Sequence, residues 1–408
     1  MLRAKTDRRD DDRFVVAPRL TGFRGPPRVK RYLLVSGDFV KTGGMDRANA
    51  ALASYLVRQG HEVHLVAYRA DPEILGHSNA TLHRVPKPLG SYLLGHPVLD
   101  RTGRCWASRV EKQGGRVVVN GGNCRWGDVN WLHHLNVLDP PVTSGGPSRR
   151  FRRRLSHRVF VRDDRAALRV AKVIITTCER NKRDLIEWLG LPEDRIHIVY
   201  YGTDPSVFHP AGPEDRKALR ARLGWPEGRP MLAFVGALGD RRKGFDTLFE
   251  AWAMLCKDPR WDADLVVVGS GAELPAWKLR AAEAGLSSRI HFLGFRRDVP
   301  DLFRSCDAHI LPSRYEGYSL VTQEALCCGL PAFVTQTAGI AERYPDELRD
   351  LLIPDPNDAG DLADRLRNWR ANADQFAARL VPFSERLRAY TWDHMAERFA
   401  GIVDATDG

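Results

Sequence analysis

The chain has no apolar run approaching the roughly 18 residues that a membrane-spanning helix needs, although 43% of its 408 residues are hydrophobic. That pairing excludes a helical membrane protein and leaves enough apolar material for two domains, each with its own core. The seven cysteines form no C-x-x-C pair and are odd in number, which argues against both a disulfide framework and a structural zinc site. Adjacent Cys327 and Cys328 read as small packing residues. No G-x-G-x-x-G fingerprint occurs, so a dinucleotide site of that type is not supported. The loop at 237–244 (ALGDRRKG) runs into Phe245 where a P-loop requires Ser or Thr after its Lys. No His/Cys/carboxylate cluster has metal-ligand spacing. A literal D-x-D at Asp262 and Asp264 precedes a strand, the end of an α/β sheet away from ligands. We therefore expect no metal and no cofactor. The first 28 residues carry no apolar signal segment. They are charged and Pro/Gly-rich, and read as a disordered lead-in. A cytoplasmic, reducing setting is the expectation.

Acidic charge is the scarcer sign: 51 Asp and Glu against 62 Lys and Arg, a net charge of +11. Such a balance favours anionic partners, among them nucleotides, phosphorylated acceptors, anionic lipid surfaces and nucleic acid, without choosing among them.

What is present is a repeated strand–helix alternation, the mark of doubly wound α/β domains. Residues 30–37 (KRYLLVSG) read as a strand. A loop follows, then Gly43-Gly44 and a helix with Ala48, Ala51, Leu52, Tyr55 and Leu56 on one face. Residues 61–68 alternate into a second strand. A glycine pair at a helix start lets backbone approach a diphosphate closely; a plain tight turn explains it equally well. Further strands are expected at 117–119 and 129–134, the latter ending at His133 and His134, and at 171–177 before a helix over 179–189. Residues 210–213 (PAGP) read as a linker. The alternation restarts with strands at 230–236, 265–271 and 290–295 and a helix over 245–255. Later elements are expected at 351–354, 361–369 and 392–403. Residues 149–172 are the most basic stretch, with ten Arg and Lys interrupted by Phe151, Leu155, Val159, Phe160 and Val161. A solvated helix with a packed stripe accounts for it; so does a surface for an anionic membrane or acceptor.

The most informative stretch is 306–342. Residues 308–311 read as a buried strand with a polar exit at Pro312-Ser313. Glu316-Gly317 follow on a loop, Ser319 can cap a helix through Val321, Glu324 and Leu326, and Gly329 and Pro331 stop it. Free N–H groups and the dipole at that helix start favour a phosphate. Glu316 and Glu324 lie at different levels beside it, suited to accept hydrogen bonds from sugar hydroxyls.

This stretch resembles the E-x7-E signature of retaining GT-B glycosyltransferases, glycosyltransferase family 4 in particular. Pro312-Ser313, Glu316-Gly317-Tyr318, Leu320-Val321, Glu324-Ala325, Gly329-Leu330-Pro331 and Gly339 carry the match. Residues 201–210 (YGTDPSVFHP) resemble the family's N-G-V-D-x-x-x-F-x-P passage, with Tyr201 and Thr203 as departures. Residues 236–244 resemble its G-R-x5-K-G, with Lys243 matched and Ala237 in place of the Arg. The resemblance implies two Rossmann-like domains facing each other across a cleft: an acceptor-side domain over 29–209, a donor domain over 210–385, and a helix in 386–408 crossing back. It implies transfer of a sugar from a nucleoside-diphosphate sugar, a UDP-sugar favoured over a GDP-sugar, to an acceptor hydroxyl with retention of configuration. Glu316 would contact the donor sugar and Glu324 the ribose, with a functional His at His133 or, one residue on, His134. Gly43, Gly44, Gly269, Phe295, Arg296, Gly317, Tyr318, Ser319, Leu320 and Val321 complete the expected donor site. Fixed cations can neutralise a departing diphosphate. Lys243 is one, and Arg242, or else Arg241, would replace the missing Arg. Three other readings stay open: a nucleotide-sugar epimerase, a sugar phosphorylase of the same fold, and a non-enzymatic basic protein binding lipid or nucleic acid. The last leaves the paired glutamates unexplained, and no nucleic acid is expected.

Overall fold

The structure, a computed structural model, describes residues 29–138, 146–239 and 241–406. The expected lead-in at 1–28 and loop residue Asp240 lie outside them. Apolar runs without polar alternation suit strands covered on both faces, and such runs build two parallel sheets. The first half contributes β1 (Arg31–Val35), β2 (Asp38–Phe39), β3 (Glu62–Ala67), β4 (Arg69–Ala70), β5 (Ala80–Arg84), β6 (Arg116–Asn120), β7 (Val129–Leu132), β8 (Val173–Thr176) and β9 (Ile196–Ile198). Seven of these align in the order β5-β3-β1-β6-β7-β8-β9, while β2 and β4 form a separate short ladder. The second half contributes β10 (Met231–Val235), β11 (Asp264–Val268), β12 (Ile290–Gly294), β13 (Ala308–Leu311), β14 (Ala332–Thr335) and β15 (Leu352–Ile353), in the order β12-β11-β10-β13-β14-β15. In each sheet the strand order reverses beside the first strand. That switch point opens a crevice at the carboxyl ends of the strands, where open α/β sheets bind ligands. The expected pair of doubly wound domains is what the chain forms.

The strand through 129–134 stops at Leu132, so both histidines stand just beyond it. The helices at 179–189 and 245–255 have the expected bounds. Sequence reading missed the helix Tyr92–Lys112. Its buried stripe is Gly95, His96, Leu99, Gly103, Ala107 and Val110, half of it residues that a hydrophobicity pattern does not register. The basic stretch lies on the helix Pro147–Val170.

The chain passes between the domains twice, and the two passages are bonded together. Thr203 N–H donates to the Tyr390 carbonyl at 3.0 Å, and Trp392 N–H donates to the Thr203 carbonyl at 3.3 Å. The closing helix Trp392–Ala405 then packs on the first domain. Phe399 meets the buried Trp131 at 4.8 Å between ring centroids, Arg116 donates to the Val403 carbonyl, and Lys30 pairs with Asp404 at 2.6 Å.

Gly202 marks the tightest point of the crossing. A Cβ there would lie 2.4 Å from the Thr391 carbonyl carbon and oxygen and from Trp392 N, with only backbone available to move. Gly202→Ala should cost about 2–4 kcal/mol, in the range of overpacked sites. Gly401→Ala, in the same closing helix with open space around it, should instead stabilise by roughly 0.5–1 kcal/mol. Urea unfolding of both variants checks this. A Gly202→Ala protein as stable as wild type would show that the crossing tolerates separation.

Candidate active site

Two helix starts meet at the cleft. Asp38-Phe39 pairs with Arg69-Ala70, and the buried Asp38 carboxylate accepts from Arg69 at 2.8 and 3.0 Å and from Tyr92 at 2.8 Å. These contacts pin the loop that delivers Gly43, at φ 84°, to the start of the helix Gly44–Arg58. From the other domain comes the helix Leu320–Cys327. Gly44 sits against Leu320: a Cβ on it would be 3.6 Å from that side chain. Neither helix start has a side-chain cap. Ser319, expected as a cap, has φ 82° and its hydroxyl bonds Thr322 at 2.8 Å instead. The left-handed turn at Ser319 therefore leaves the helix N–H groups without a side-chain partner, a natural anion site.

Each glutamate has a cation. Glu316 pairs with Lys243, both side chains 13% exposed. Burial works to raise the Glu316 pKa, but Lys243 and Arg242 outweigh it and hold the carboxyl below its usual range. Glu324 pairs with Arg47, which reaches across from the glycine-loop helix of the first domain. There burial prevails over Arg47, and the Glu324 pKa is raised.

The cleft divides into two cavities. The smaller, about 440 Å³, is lined by Gly44, His133, His134, Arg242 and residues Glu316 to Leu320, with first-domain groups opposite. The larger, about 870 Å³, is lined by Gly43, Arg47, Phe208, Phe295, Arg296, Val321 and Glu324. Gly43 and Gly44 thus straddle the divide, with one glutamate on either side. The buried His133 ring is engaged at both nitrogens, Nδ1 with the Tyr201 hydroxyl at 2.6 Å and Nε2 with Asn49 Oδ1 at 3.4 Å. Burial pushes its pKa down to about 3, so the imidazole is neutral at any physiological pH. His134 is half-buried, its ring 5.2 Å from that of Tyr315, and it helps hold Glu316 ionised.

The other sequence-derived candidates sort by geometry. Arg242 faces the smaller cavity, whereas Arg241 pairs with Asp246. Arg314 joins the same carboxylate at 2.7 Å. Arg296 pairs with Asp298 at the rim of the larger cavity. Gly269 is absent from the described lining of both cavities. Its φ is 146° and a Cβ would lie 1.9 Å from the Gly236 carbonyl, so close strand-end packing requires the glycine. Asp262 and Asp264 lie at the amino end of the second sheet, bonded to Arg370 and Arg289.

Sequence reading missed Arg47, Gln323 and Arg343. Gln323 donates from the signature helix to the Tyr201 and Gly202 carbonyls at 3.2 and 3.0 Å. The buried Arg343 donates to the Tyr318 hydroxyl and Gln323 Oε1. Glu342 accepts from the Glu179 and Arg180 N–H groups at 2.8 and 3.3 Å, capping a first-domain helix from the second domain. The only sequence signal for Gln323 and Arg343 was polar identity inside an apolar stretch.

Comparison with known proteins fits this geometry. A family model described as Glycosyltransferase Family 4 matches residues 42–207, and one described as Glycosyl transferases group 1 matches 215–386. Mannosylfructose-phosphate synthase of Agrobacterium fabrum is 28% identical over 62% of this chain and 56% of its own length. The matches span about half the length of the first curated relatives. Among solved structures, sucrose-phosphate synthase of Thermosynechococcus elongatus superposes with a TM-score of 0.73 at 22% identity, covering 92% of this chain and 98% of that one. The Anabaena protein HepE in complex with UDP-glucose gives 0.68 at 17% identity, covering 92% and 99%. The likeness to these two structures establishes the fold. With both family models matched in order along the chain, this protein belongs to the family 4, group 1 glycosyltransferases of GT-B fold.

Proposed function

We propose that this protein transfers a sugar from a nucleoside-diphosphate sugar to an acceptor hydroxyl with retention of configuration and without a metal ion. The observation that carries the reading is the meeting of two uncapped helix starts, one from each domain, beside Arg242 and the Lys243–Glu316 pair. Nucleotide would occupy the larger cavity, its ribose on Glu324 and its base near Phe295 and Arg296. The diphosphate would lie along Gly43-Gly44 and the Ser319-Leu320 helix start, and the sugar in the smaller cavity by Glu316. In the transfer, the bond from the anomeric carbon to the diphosphate oxygen breaks and one to the acceptor oxygen forms on the same face. The acceptor proton passes to a donor phosphate oxygen. The leaving diphosphate needs positive charge rather than an acid, and Arg242 and Lys243 supply it. The neutral His133 is not suited to acid–base work, and its Nε2 would reach the sugar only by exchanging the long 3.4 Å contact with Asn49. A UDP-sugar is the favoured donor, supported by the UDP-glucose complex of the Anabaena structure. Peripheral contact with an anionic membrane is supported by the exposed Phe151 and Leu155 among the arginines of the helix Pro147–Val170.

A panel of UDP, GDP, TDP and ADP followed by thermal shift tests the reading. At a hundred times its dissociation constant a bound nucleotide stabilises by about 2.7 kcal/mol. If none shifts the melting temperature at millimolar concentration, the reading fails. Turnover of the bound donor alone would indicate an epimerase, and dependence on inorganic phosphate a phosphorylase. Activity should survive EDTA.

Glu324→Gln should weaken nucleoside diphosphate binding, whereas Glu316→Gln should lower turnover and leave that affinity nearly unchanged. Because the Glu324 pKa is raised, its anionic form, and with it ribose binding, is lost as pH falls through that raised value. Arg47→Ala removes the counter-ion and should move this loss to higher pH. Titration calorimetry across pH checks both; an unmoved acid limb in Arg47→Ala would contradict the pairing's role.

Loss of one preorganised charge typically costs ~10²–10³ in turnover. Lys243→Ala and Arg242→Ala should each show such a loss at saturating donor, while Arg241→Ala, tied to Asp246, stays within a few-fold of wild type. Wild-type turnover in Arg242→Ala would mean that another cation serves the leaving group.

A further inference from the structure

The smaller cavity has two unlike walls. On the second-domain side stand Arg242 and Glu316. The first-domain side is built from His96, Asn123, His134, Asn136, Phe160 and Asp164. Among the described residues, that side contributes no lysine or arginine. Asp164 is only 5% exposed. Its Oδ1 accepts from the Gly122 N–H at 2.8 Å and its Oδ2 from the Asn136 amide at 2.7 Å. The Asn136 backbone N–H bonds the same group, and a carboxylate has about four acceptor positions, so the oriented group retains capacity for one hydroxyl on the cavity it lines. The Asn136 amide, with one hydrogen on Asp164, still has its carbonyl and a second hydrogen to offer. Phe160, its ring 5.8 Å from that of His96, supplies the apolar surface.

Four arginines of the helix Pro147–Val170 stand apart from this wall. Phe160 and Asp164 lie on the cleft side, whereas Arg158, Arg162, Arg165 and Arg169 recur every three or four residues around a separate groove beside Val137. Burial raises the Asp164 pKa against its hydrogen bonds from Asn136 and Gly122; charged or neutral, the group offers a phosphate or carboxylate no cation and can hydrogen-bond hydroxyls. A volume of about 440 Å³, at the small end of ligand pockets, must also hold the donor sugar. It suits a second ring better than an extended chain.

Resting on the sugar transfer proposed above, we infer that the acceptor is an uncharged, ring-sized polyol, a monosaccharide or cyclitol without a phosphate, held by Asp164 and Asn136. The arginine groove then takes no part in acceptor choice.

The test uses the full chain, the donor whose nucleotide gives the largest thermal shift, and mass-spectrometric detection of product. Neutral hexoses and cyclitols are each paired with their phosphate monoesters, and diacylglycerol vesicles form a third arm. A neutral ring should exceed its own phosphate ester by about tenfold or more in kcat/KM, as a site built for hydroxyls discriminates. Asp164→Asn should raise the acceptor KM about tenfold and narrow the preference over the phosphate ester. The thermal shift given by the nucleoside diphosphate should be preserved. Asn136→Ala, a milder change, should raise the acceptor KM in the same direction, which keeps the test open if Asp164→Asn folds poorly. Preference for phosphate esters, product with the lipid only, or no glycosylated ring despite a nucleotide-induced shift would each overturn the inference. Absence of any nucleotide shift would instead remove the sugar-transfer reading, and the inference with it.

Discussion

Two buried carboxylates in one cleft cannot stay ionised without cations beside them, and the placement of those cations shapes the site. Glu316 draws its partner, Lys243, from its own domain, and the pair with Arg242 keeps it anionic. Glu324 draws its partner, Arg47, from the facing domain. The second pair exists only while the domains are together, and burial has already raised the Glu324 pKa in spite of it. The Glu324 half of the cleft is therefore electrostatically sensitive to closure, whereas the Glu316 half is settled within one domain.

That closure rests on backbone as much as on charge. The two interdomain passages are hydrogen-bonded to each other at Thr203 and Tyr390–Trp392, and Gln323 ties the signature helix to the same crossing. Glu342 caps a first-domain helix from the second domain. The helix start that presents its free N–H groups to the cleft is thus braced from behind by the hinge. A site assembled this way holds its donors in fixed positions, which is what electrostatic stabilisation of a leaving group requires.

Legibility in the sequence followed the length scale of each contact. Strands and helices were readable because covered parallel strands are continuous apolar runs and because Gly and Pro punctuate them, as with the helix Glu179–Leu189 closed by the left-handed Gly190. The helix Tyr92–Lys112 was not readable, since half its buried stripe is Gly95, His96 and Gly103, and a Cβ on the two glycines would crowd Tyr68, Val35 and Cys124. The start of the helix Leu320–Cys327 was placed correctly but its cap was not, because Ser319 takes a left-handed φ of 82° and its hydroxyl bonds Thr322.

By itself the sequence determined the class of fold, the strand–loop–helix stretch that carries Glu316 and Glu324, and the basic loop ending in Lys243. These depend on residues near one another in the chain, whose spacing fixes periodicity, turns and helix starts. Only the tertiary structure decided which arginine of Arg241 and Arg242 faces the cavity and that Arg47 answers Glu324. It also decided that His133 is held by Tyr201 and Asn49 and that Arg158, Arg162, Arg165 and Arg169 of the basic helix line a separate groove. Each is a pairing between groups brought together by folding, from Asp246 only five residues beyond Arg241 to Glu324 on the domain opposite Arg47. The local pattern gives each polar side chain several possible partners, and burial and distance in the folded chain select one.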